Sequence, residues 1–340
     1  MNYNPPVRRC SCCVMPETPG HIELDENGVC QVCAKAQVVA QQPDPLAALN
    51  DEQRLALLRK KVARFTGSGL YDCAVSVSGG KDSIMTLYIA KKQLGLNPLA
   101  IFIDNGFALD GMYDNVRNAT DVLGVDLMVF KTSEMLRLVP YLIKSGKHLY
   151  YCRLCHALID RAVRDICTRY DIKLILGGYT KGQQYVRNFE LFWIYEESDK
   201  NLVELVKDHP EFAYLAELYE NQQAYFSKHY PSIVQMSPFK YVSWDEDEIL
   251  AVIEKELGFK RTEGCWPHKS SNCTFNYVAQ YLALKQFGYA QHESEQSHLV
   301  RAGEITRERA LEILETPILD TDMEGPLAKL GLTLDDVVCG

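Results

Sequence analysis

Ser78-Gly79-Gly80-Lys81-Asp82-Ser83 brings together in six residues the groups that handle a polyphosphate. The segment reads as a turn between a buried strand, Ala74–Val77, and a helix that starts near Asp82. Paired glycines let a backbone turn tightly with its N–H groups exposed, and the helix behind them aims its positive dipole end at the same point. Lys81 adds a mobile cation, Ser78 and Ser83 add hydroxyls, and Asp82 can cap the helix or orient a magnesium–phosphate group. The spacing is not the Walker pattern of ordinary P-loop NTPases. The plain alternative is a structural strand–helix turn.

Cysteine is the second reactive type, with twelve in the chain. Cys10 and Cys13, then Cys30 and Cys33, form two Cys-x-x-Cys pairs, each able to fold as a knuckle around one tetrahedral ion. Structural zinc is the leading reading, with rubredoxin-like iron or a redox site as alternatives. Asp25–Gly28 between the pairs reads as a hairpin turn, so a small zinc ribbon is expected, with four filled positions and none open for catalysis. Cys12 is surplus. A third pair, Cys152 and Cys155, stands in Tyr150-Tyr151-Cys152-Arg153-Leu154-Cys155-His156, between the third strand and the next helix. Far downstream a Gly/Pro/Ser-rich loop carries Cys265 and Cys273, either of which could complete a set of three. Three thiolates can hold a 4Fe–4S cluster with one iron left free. The same cysteines could instead relay a persulfide, bind a second zinc with help from His156 or His268, or lie buried and inert. Cys73 and Cys167 read as core residues, and no role falls to Cys339.

The elements that must position these groups follow a β-α-β-α rhythm. Strands are expected near Ala74–Val77, Leu99–Ile103, Leu127–Lys131 and Leu174–Leu176, which implies an α/β fold with a parallel sheet. Ligands of such sheets sit at the carboxyl ends of the strands, where three loops converge: the Ser78 loop, Asp104-Asn105-Gly106 and Gly177-Gly178-Tyr179-Thr180-Lys181-Gly182. Asp104 could bind a ribose hydroxyl or magnesium, or merely cap its turn. Gly177 and Gly178 let backbone approach a nucleotide, and Lys181 could neutralise phosphate or sit in water. The expected organisation is a zinc ribbon over 1–37, a linker and amphipathic helix (Asn50–Phe65) over 38–70, a nucleotide-binding core over 71–187, and a mainly helical region over 188–340 that completes the site. Within the last, the aromatics of Asn188–Tyr230 read as core more than as a stacking surface. Trp244-Asp245-Glu246-Asp247-Glu248 reads as a solvated helix start. Thr306 caps a tail helix that packs or dimerises.

At 340 residues and a formal charge of −9 the chain is long enough for an enzyme and ill suited to nonspecific attraction to nucleic acid, so a small-molecule substrate is expected and tRNA is not. No apolar run reaches a membrane span, and Met1-Asn2-Tyr3-Asn4 followed by Pro5-Pro6 is unlike a signal peptide, which points to the cytoplasm.

The Ser78–Ser83 stretch resembles the signature of the PP-loop ATP pyrophosphatases, which cleave ATP between its α and β phosphates. Cys10–Cys13 running into Val14-Met15-Pro16-Glu17-Thr18, then Gly28–Cys33, Phe287-Gly288-Tyr289 and Gly303–Glu308 are similar to the N-acetyl sugar amidotransferase branch of that family. That branch implies a zinc-ribbon start, an adenine-nucleotide-binding α/β domain and ATP-driven replacement of a carbonyl oxygen by ammonia from a partner glutaminase. Lys81 and the Cys152/Cys155 pair depart from it and resemble the sulfur-inserting PP-loop enzymes, in which a third, distant cysteine completes the set; Cys273 is the preferred third and Cys265 the fallback. The resulting expectation is ATP-dependent thiolation of a small molecule, such as a purine or similar lactam. ATP, magnesium, zinc and a 4Fe–4S cluster would be its cofactors, with a separate sulfur donor. Amidine formation on an acetamido sugar is the alternative, and a nucleotide-binding scaffold without turnover is the third reading.

Overall fold

The computed structural model of the protein describes residues 1–39, 46, 48–66, 69–179, 191–267 and 272–338. A five-stranded sheet lies at its centre: β1 (Cys73–Ser76), β2 (Pro98–Asp104), β3 (Asp126–Lys131), β4 (Leu174–Gly177) and β5 (Val234–Met236), all parallel, in the order β3-β2-β1-β4-β5. Four of these strands stand where the alternation of the sequence places them. The fifth is additional, because its three residues are too few to show a period. The chain steps one way from β1 to β2 and the other way to β4, so the carboxyl ends of β1 and β4 flank a switch point, where open α/β sheets bind ligands. Ser76 pairs with Gly177, and the loops that follow them therefore emerge side by side.

Six helices accompany the first four strands: α1 (Gln31–Val39), α2 (Asp51–Val62), α3 (Lys81–Tyr88), α4 (Asp110–Leu123), α5 (Glu134–Lys144) and α6 (Tyr151–Arg169). Asn50 caps α2 by accepting from the Gln53 amide at 2.9 Å, and the Gln53 side chain returns the bond to the Asn50 amide at 3.1 Å. On one face of the sheet Val75, Val77, Ala100 and Phe102 pack against α3, α4 and the helix Glu246–Leu257. On the other, Ala74, Leu99, Ile101 and Ile175 pack against Val163, Ile166 and Cys167 of α6. Cys73 and Cys167 are core residues, as expected. Strands buried on both faces must be apolar at every position, each buried aliphatic side chain contributing about 1.5–3 kcal/mol. β3 is the exception: it is an edge strand, α6 covers the middle of the sheet and leaves Phe130 exposed on its side, and Val129 is exposed on the opposite face.

The C-terminal region is helical, as expected, and packs against α5 and the first turns of α6 in a second large core. Phe212, Tyr219, Tyr225 and Phe226 of the segment after β4 belong to it: Phe212 and Tyr219 are buried, and the Tyr219 hydroxyl donates to the Leu154 carbonyl at 2.8 Å. The N-terminal cysteine unit is built into the body. Its four cysteines share a cluster with Tyr150, Ile194, Phe287 and Tyr289, and Trp193 lies flat on His21 with ring centroids 3.6 Å apart. The Asn4 amide group donates to the Leu314 and Thr316 carbonyls at 2.7 and 2.8 Å. Among the described residues no helix is long and apolar enough to cross a membrane.

Candidate active site

The Ser78 loop sits at the switch point as the sequence requires. Ser83 Oγ accepts from the Ser78 amide at 3.0 Å and donates to the Gly80 carbonyl at 2.9 Å, which closes the turn. Gly79 has φ +80°, and a Cβ there would stand 2.5 Å from the Met112 carbonyl oxygen, so its role is close packing against α4. Gly80 is extended and borders an open cavity of about 410 Å³, together with Ser78, Lys81, Asp82, Ser83, Gly177 and Gly178. Gly178 approaches so closely that a Cβ would meet the backbone at Asp82 and Ser83 at 2.8 Å. Backbone donors, two hydroxyls and the start of α3 thus face one space sized for a nucleotide.

Lys81 is held in a cage. Its Nζ stands 3.3 Å from Asp82 and 3.6 Å from Glu246, and 5.7 Å above the Trp244 ring. The Trp244 indole donates to Asp82 Oδ1 at 2.7 Å, fixing the carboxylate that Lys81 shares. Burial alone would pull the ammonium pKa down, but Asp82, Glu246 and Glu295 outweigh it and push it up, so Lys81 stays charged. This corrects the reading of Trp244–Glu248 as a solvated helix start. Asp245 does cap that helix, accepting from the Glu248 amide at 2.9 Å, but Trp244 and Glu246 turn into the site. The contact joins residues 162 positions apart, and nothing in the local pattern marks it.

Cys152, Cys155 and Cys273 line the same cavity. The first two occupy the opening turn of α6 and not, as the sequence reading had it, a loop ahead of the helix. Cys273 is brought in by a bridge between Ala108 and Cys273, and the neighbouring Asn272 side chain donates to the Ser78 carbonyl at 3.5 Å. The third-cysteine segment therefore rests directly on the phosphate loop. Cys265 is buried elsewhere, its thiol directed at the Pro267 carbonyl at 3.7 Å, and it does not line the cavity. Asn105 Nδ2 donates to Cys155 Sγ at 3.0 Å. Burial pushes the Cys152 thiol up to about 12 and Cys155 up to about 11, the Asn105 bond pulling the latter back; Cys273 is raised as well. His292 shares the cavity and is held neutral, its pKa lowered to about 4 by burial and by His156.

One expected ligand residue falls differently, and two lie outside the described residues. Asp104 is buried and does not line the cavity; its carboxylate accepts from the Gly106 amide at 2.8 Å and pairs with Lys131 at 3.6 Å, the turn-capping role that was its alternative. Lys181 and His268 lie outside the described residues. Tyr195 is the one aromatic of the helical insert, among the described residues, that the sequence reading left to the core and that faces the cavity, where the Arg153 guanidinium lies 4.2 Å from its ring centroid.

Cys10, Cys13, Cys30 and Cys33 bring four buried sulfurs within 4.8 Å of one another. Amide donors stabilise them, with the Cys30 N–H on Cys10 Sγ at 3.2 Å and the Met15 N–H on Cys13 Sγ at 3.5 Å. The Cys30 and Cys33 thiols aim at Cys13, holding it well below the usual thiol range while their own values rise. Arg307 clamps the loop through three donor bonds of 3.0–3.2 Å to the Cys10 and Cys13 carbonyls. A closed set of four thiolates fits one tetrahedral metal ion. Cys12 is exposed and outside the set. Cys152, Cys155 and Cys273 do not form such a close set: their sulfurs are not all within 4.8 Å of one another.

A parallel sheet with a glycine-rich phosphate loop at its switch point and thiols around the same cavity defines a PP-loop nucleotide-binding enzyme. The profile of the phosphoadenosine phosphosulfate reductase domain matches residues 72–253, more than half of the chain, and the chain belongs to that family of the PP-loop superfamily. Residues 271–336 match the C-terminal domain described as LPS biosynthesis protein WbpG-like. An uncharacterized protein of Methanocaldococcus jannaschii is 25% identical over 330 residues, covering 96% of this chain and 100% of that protein. Among solved structures, the U34-tRNA thiolase NcsA from Methanococcus maripaludis with its 4Fe–4S cluster aligns at TM-score 0.39 and 18% identity, over 91% of this chain and 89% of that one. The NH3-dependent NAD synthetase from Campylobacter jejuni in complex with nitrate aligns at TM-score 0.33 and 12% identity, over 62% and 94%.

Proposed function

We propose that the protein uses ATP to replace a carbonyl oxygen of a small molecule by sulfur. The observation that carries this reading is that Cys152, Cys155 and Cys273 line the cavity into which the Ser78–Ser83 loop opens. Oxide is a poor leaving group, so the acceptor oxygen first attacks the α phosphorus of ATP and pyrophosphate departs. Hydrosulfide then adds to the activated carbon, AMP leaves, and the proton lost from sulfur passes to solvent. The N–H groups and hydroxyls of the Ser78 loop, with Lys81, stabilise the charge on the departing pyrophosphate. Asp82 would orient a magnesium ion, which would supply further charge stabilisation. A 4Fe–4S cluster held by the three thiolates would supply a thiophilic centre that presents sulfur. The N-terminal four-cysteine centre takes one zinc ion in a structural role.

Anaerobic purification tests the reading. A brown protein whose iron and acid-labile sulfide disappear in Cys152→Ala, and which releases one burst of pyrophosphate with acceptor alone but releases AMP and turns over only when sulfide is also present, supports it. A colourless protein with one zinc ion per chain, whose Cys152→Ala variant turns over unchanged, overturns it. The WbpG-like match over residues 271–336 favours a second reading, amidine formation on an N-acetyl sugar with ammonia from a glutaminase. In that case ammonium and not sulfide drives AMP release, and Cys152→Ala remains active.

A further inference from the structure

A second cavity, of about 610 Å³, runs along α6 beside the first. Its floor is a stripe of α6 residues, Cys155, Ile159, Ala162, Ile166 and Arg169, at alternating steps of four and three, which places them on one helix face over about 21 Å. The facing wall is the uncovered side of β3, where Met128 and Phe130 point the same way because strand side chains alternate. The cavity exists because α6 runs above the middle of the sheet and leaves this edge bare.

Its inner end is shared. Cys155 and Asn105, joined by their 3.0 Å hydrogen bond, line both cavities, so a molecule lying along α6 ends beside the nucleotide seat. The charged lining is three guanidiniums, Arg137, Arg161 and Arg169, against two carboxylates, Glu134 and Asp165. Both carboxylates are engaged: Glu134 by Arg161 at 3.0 and 3.1 Å and by the Tyr214 hydroxyl, Asp165 by the Tyr230 hydroxyl at 2.6 Å. Arg161 binds Glu134 through Nη2 alone, and its Nε is buried with no hydrogen-bond partner among the described residues. Arg137 is paired with Glu211 at 2.5 Å, whereas Arg169 makes no ion pair among the described residues. A buried donor without an acceptor is costly, and an anionic ligand oxygen would satisfy it.

We infer that this cavity seats the acceptor of the reaction, a molecule with a flat apolar body and an anionic group, carboxylate or phosphate, held at the arginines. Calling the occupant the acceptor rests on the proposed function; the site itself rests on the cavity. Volume and lining are those of a small-molecule pocket, mostly apolar with a few fixed polar groups.

Methionine methyls supply the readout, because Met128 lines only this cavity and Met112 only the nucleotide cavity. In the full chain with isotope-labelled methionine methyls, naphthyl phosphate and naphthoate should shift the Met128 signal and leave Met112 still, whereas ATP should move Met112 and not Met128. Either anion should bind about tenfold more tightly than neutral naphthol, the gain of a charge-assisted bond. The more tightly bound of the two identifies the anionic group. Ala162→Phe, which fills the floor, should abolish the Met128 response while ATP still shifts Met112. Arg161→Lys keeps the charge facing Glu134 but loses Nε, and should erase most of the preference for anions. A Met128 signal that no probe moves, naphthol binding as well as the anions, or a probe that shifts Met112 instead, overturns the inference. A Met128 response in a protein that shows no sulfide-dependent AMP release leaves an anion-selective pocket and removes only the thiolation reading.

Discussion

The two glycines of the phosphate loop should fail in different ways when each receives a methyl group. Gly79→Ala must hold an L residue at φ +80°, which costs about 1–2 kcal/mol, and its Cβ falls 2.5 Å from the Met112 carbonyl oxygen and 2.7 Å from Met112 Cα. The obstacle is backbone and cannot swing aside, so α4 must shift, at a further cost of about 1–3 kcal/mol. A total of about 2–5 kcal/mol corresponds to a fall in Tm on the order of 3–7 °C for a chain of this size. Gly80→Ala meets none of this. Its φ is −79°, and its Cβ would stand at ordinary distances, 3.5 Å from Ser78 Oγ and 3.6 Å from Asn272 Nδ2. The loss of a glycine N-cap costs less than about 1 kcal/mol. The methyl would project where phosphate oxygens must come, however, and ATP affinity should drop about tenfold or more, which is about 1.4 kcal/mol. Thermal unfolding without nucleotide and calorimetric titration with ATP separate the two effects. Equal unfolding temperatures for the variants, or a Gly80→Ala protein that binds ATP as well as the parent, would refute the division of labour.

Two other consequences are open to measurement. Arg307→Ala removes three donor bonds from the carbonyls of Cys10 and Cys13, a loss of about 2–3 kcal/mol, and should speed chelator-driven metal release about tenfold or more while ATP titrations stay unchanged. His292, with its pKa lowered to about 4 by burial first and His156 second, binds its proton more readily in the unfolded chain. Its contribution is therefore complete above pH 6.5 and is lost as pH falls from there toward 4, by about 3 kcal/mol at most, so His292→Gln should flatten the acid limb of a denaturation profile taken on metal-free protein.

What could be read in the sequence were features whose cause is local. The Ser78 loop, the four N-terminal cysteines and the first four strands are short-range patterns, and each stands where its pattern puts it. The convergence of Cys273 on Cys152 and Cys155 was legible only as a chemical need for a third thiol, which the Ala108–Cys273 bridge meets. The Lys81 cage was not legible: Glu246 has the acidic neighbours and helix-start position of an ordinary solvated residue, and only the packing of its helix against α3 turns it inward. Asp104 misleads for the opposite reason, since the end of a strand is a good place for a ligand carboxylate, but the tight turn at Gly106 claims the oxygen first. One signal could have found His292. Its helix, Gln291–Arg301, is polar all round, and a polar helix that buries Glu293, Ser294 and Ser297 must be serving a polar interior.

The clasp between Arg307 and the cysteine loop also sets an order of events during synthesis. Cys10 and the arginine that holds its carbonyl are 297 residues apart, and at ribosomal rates the second follows the first by about 15–60 s. Throughout that interval the N-terminal knuckles have only part of the surface they dock on, because Tyr150 and Ile194 are made early but Phe287, Tyr289 and Arg307 are among the last parts of the fold to emerge. A metal ion could therefore load before closure. A nascent chain stalled before residue 287 would lack the Phe287, Tyr289 and Gln291 part of the cover over Tyr150 and, with it, over the α6 turn bearing Cys152.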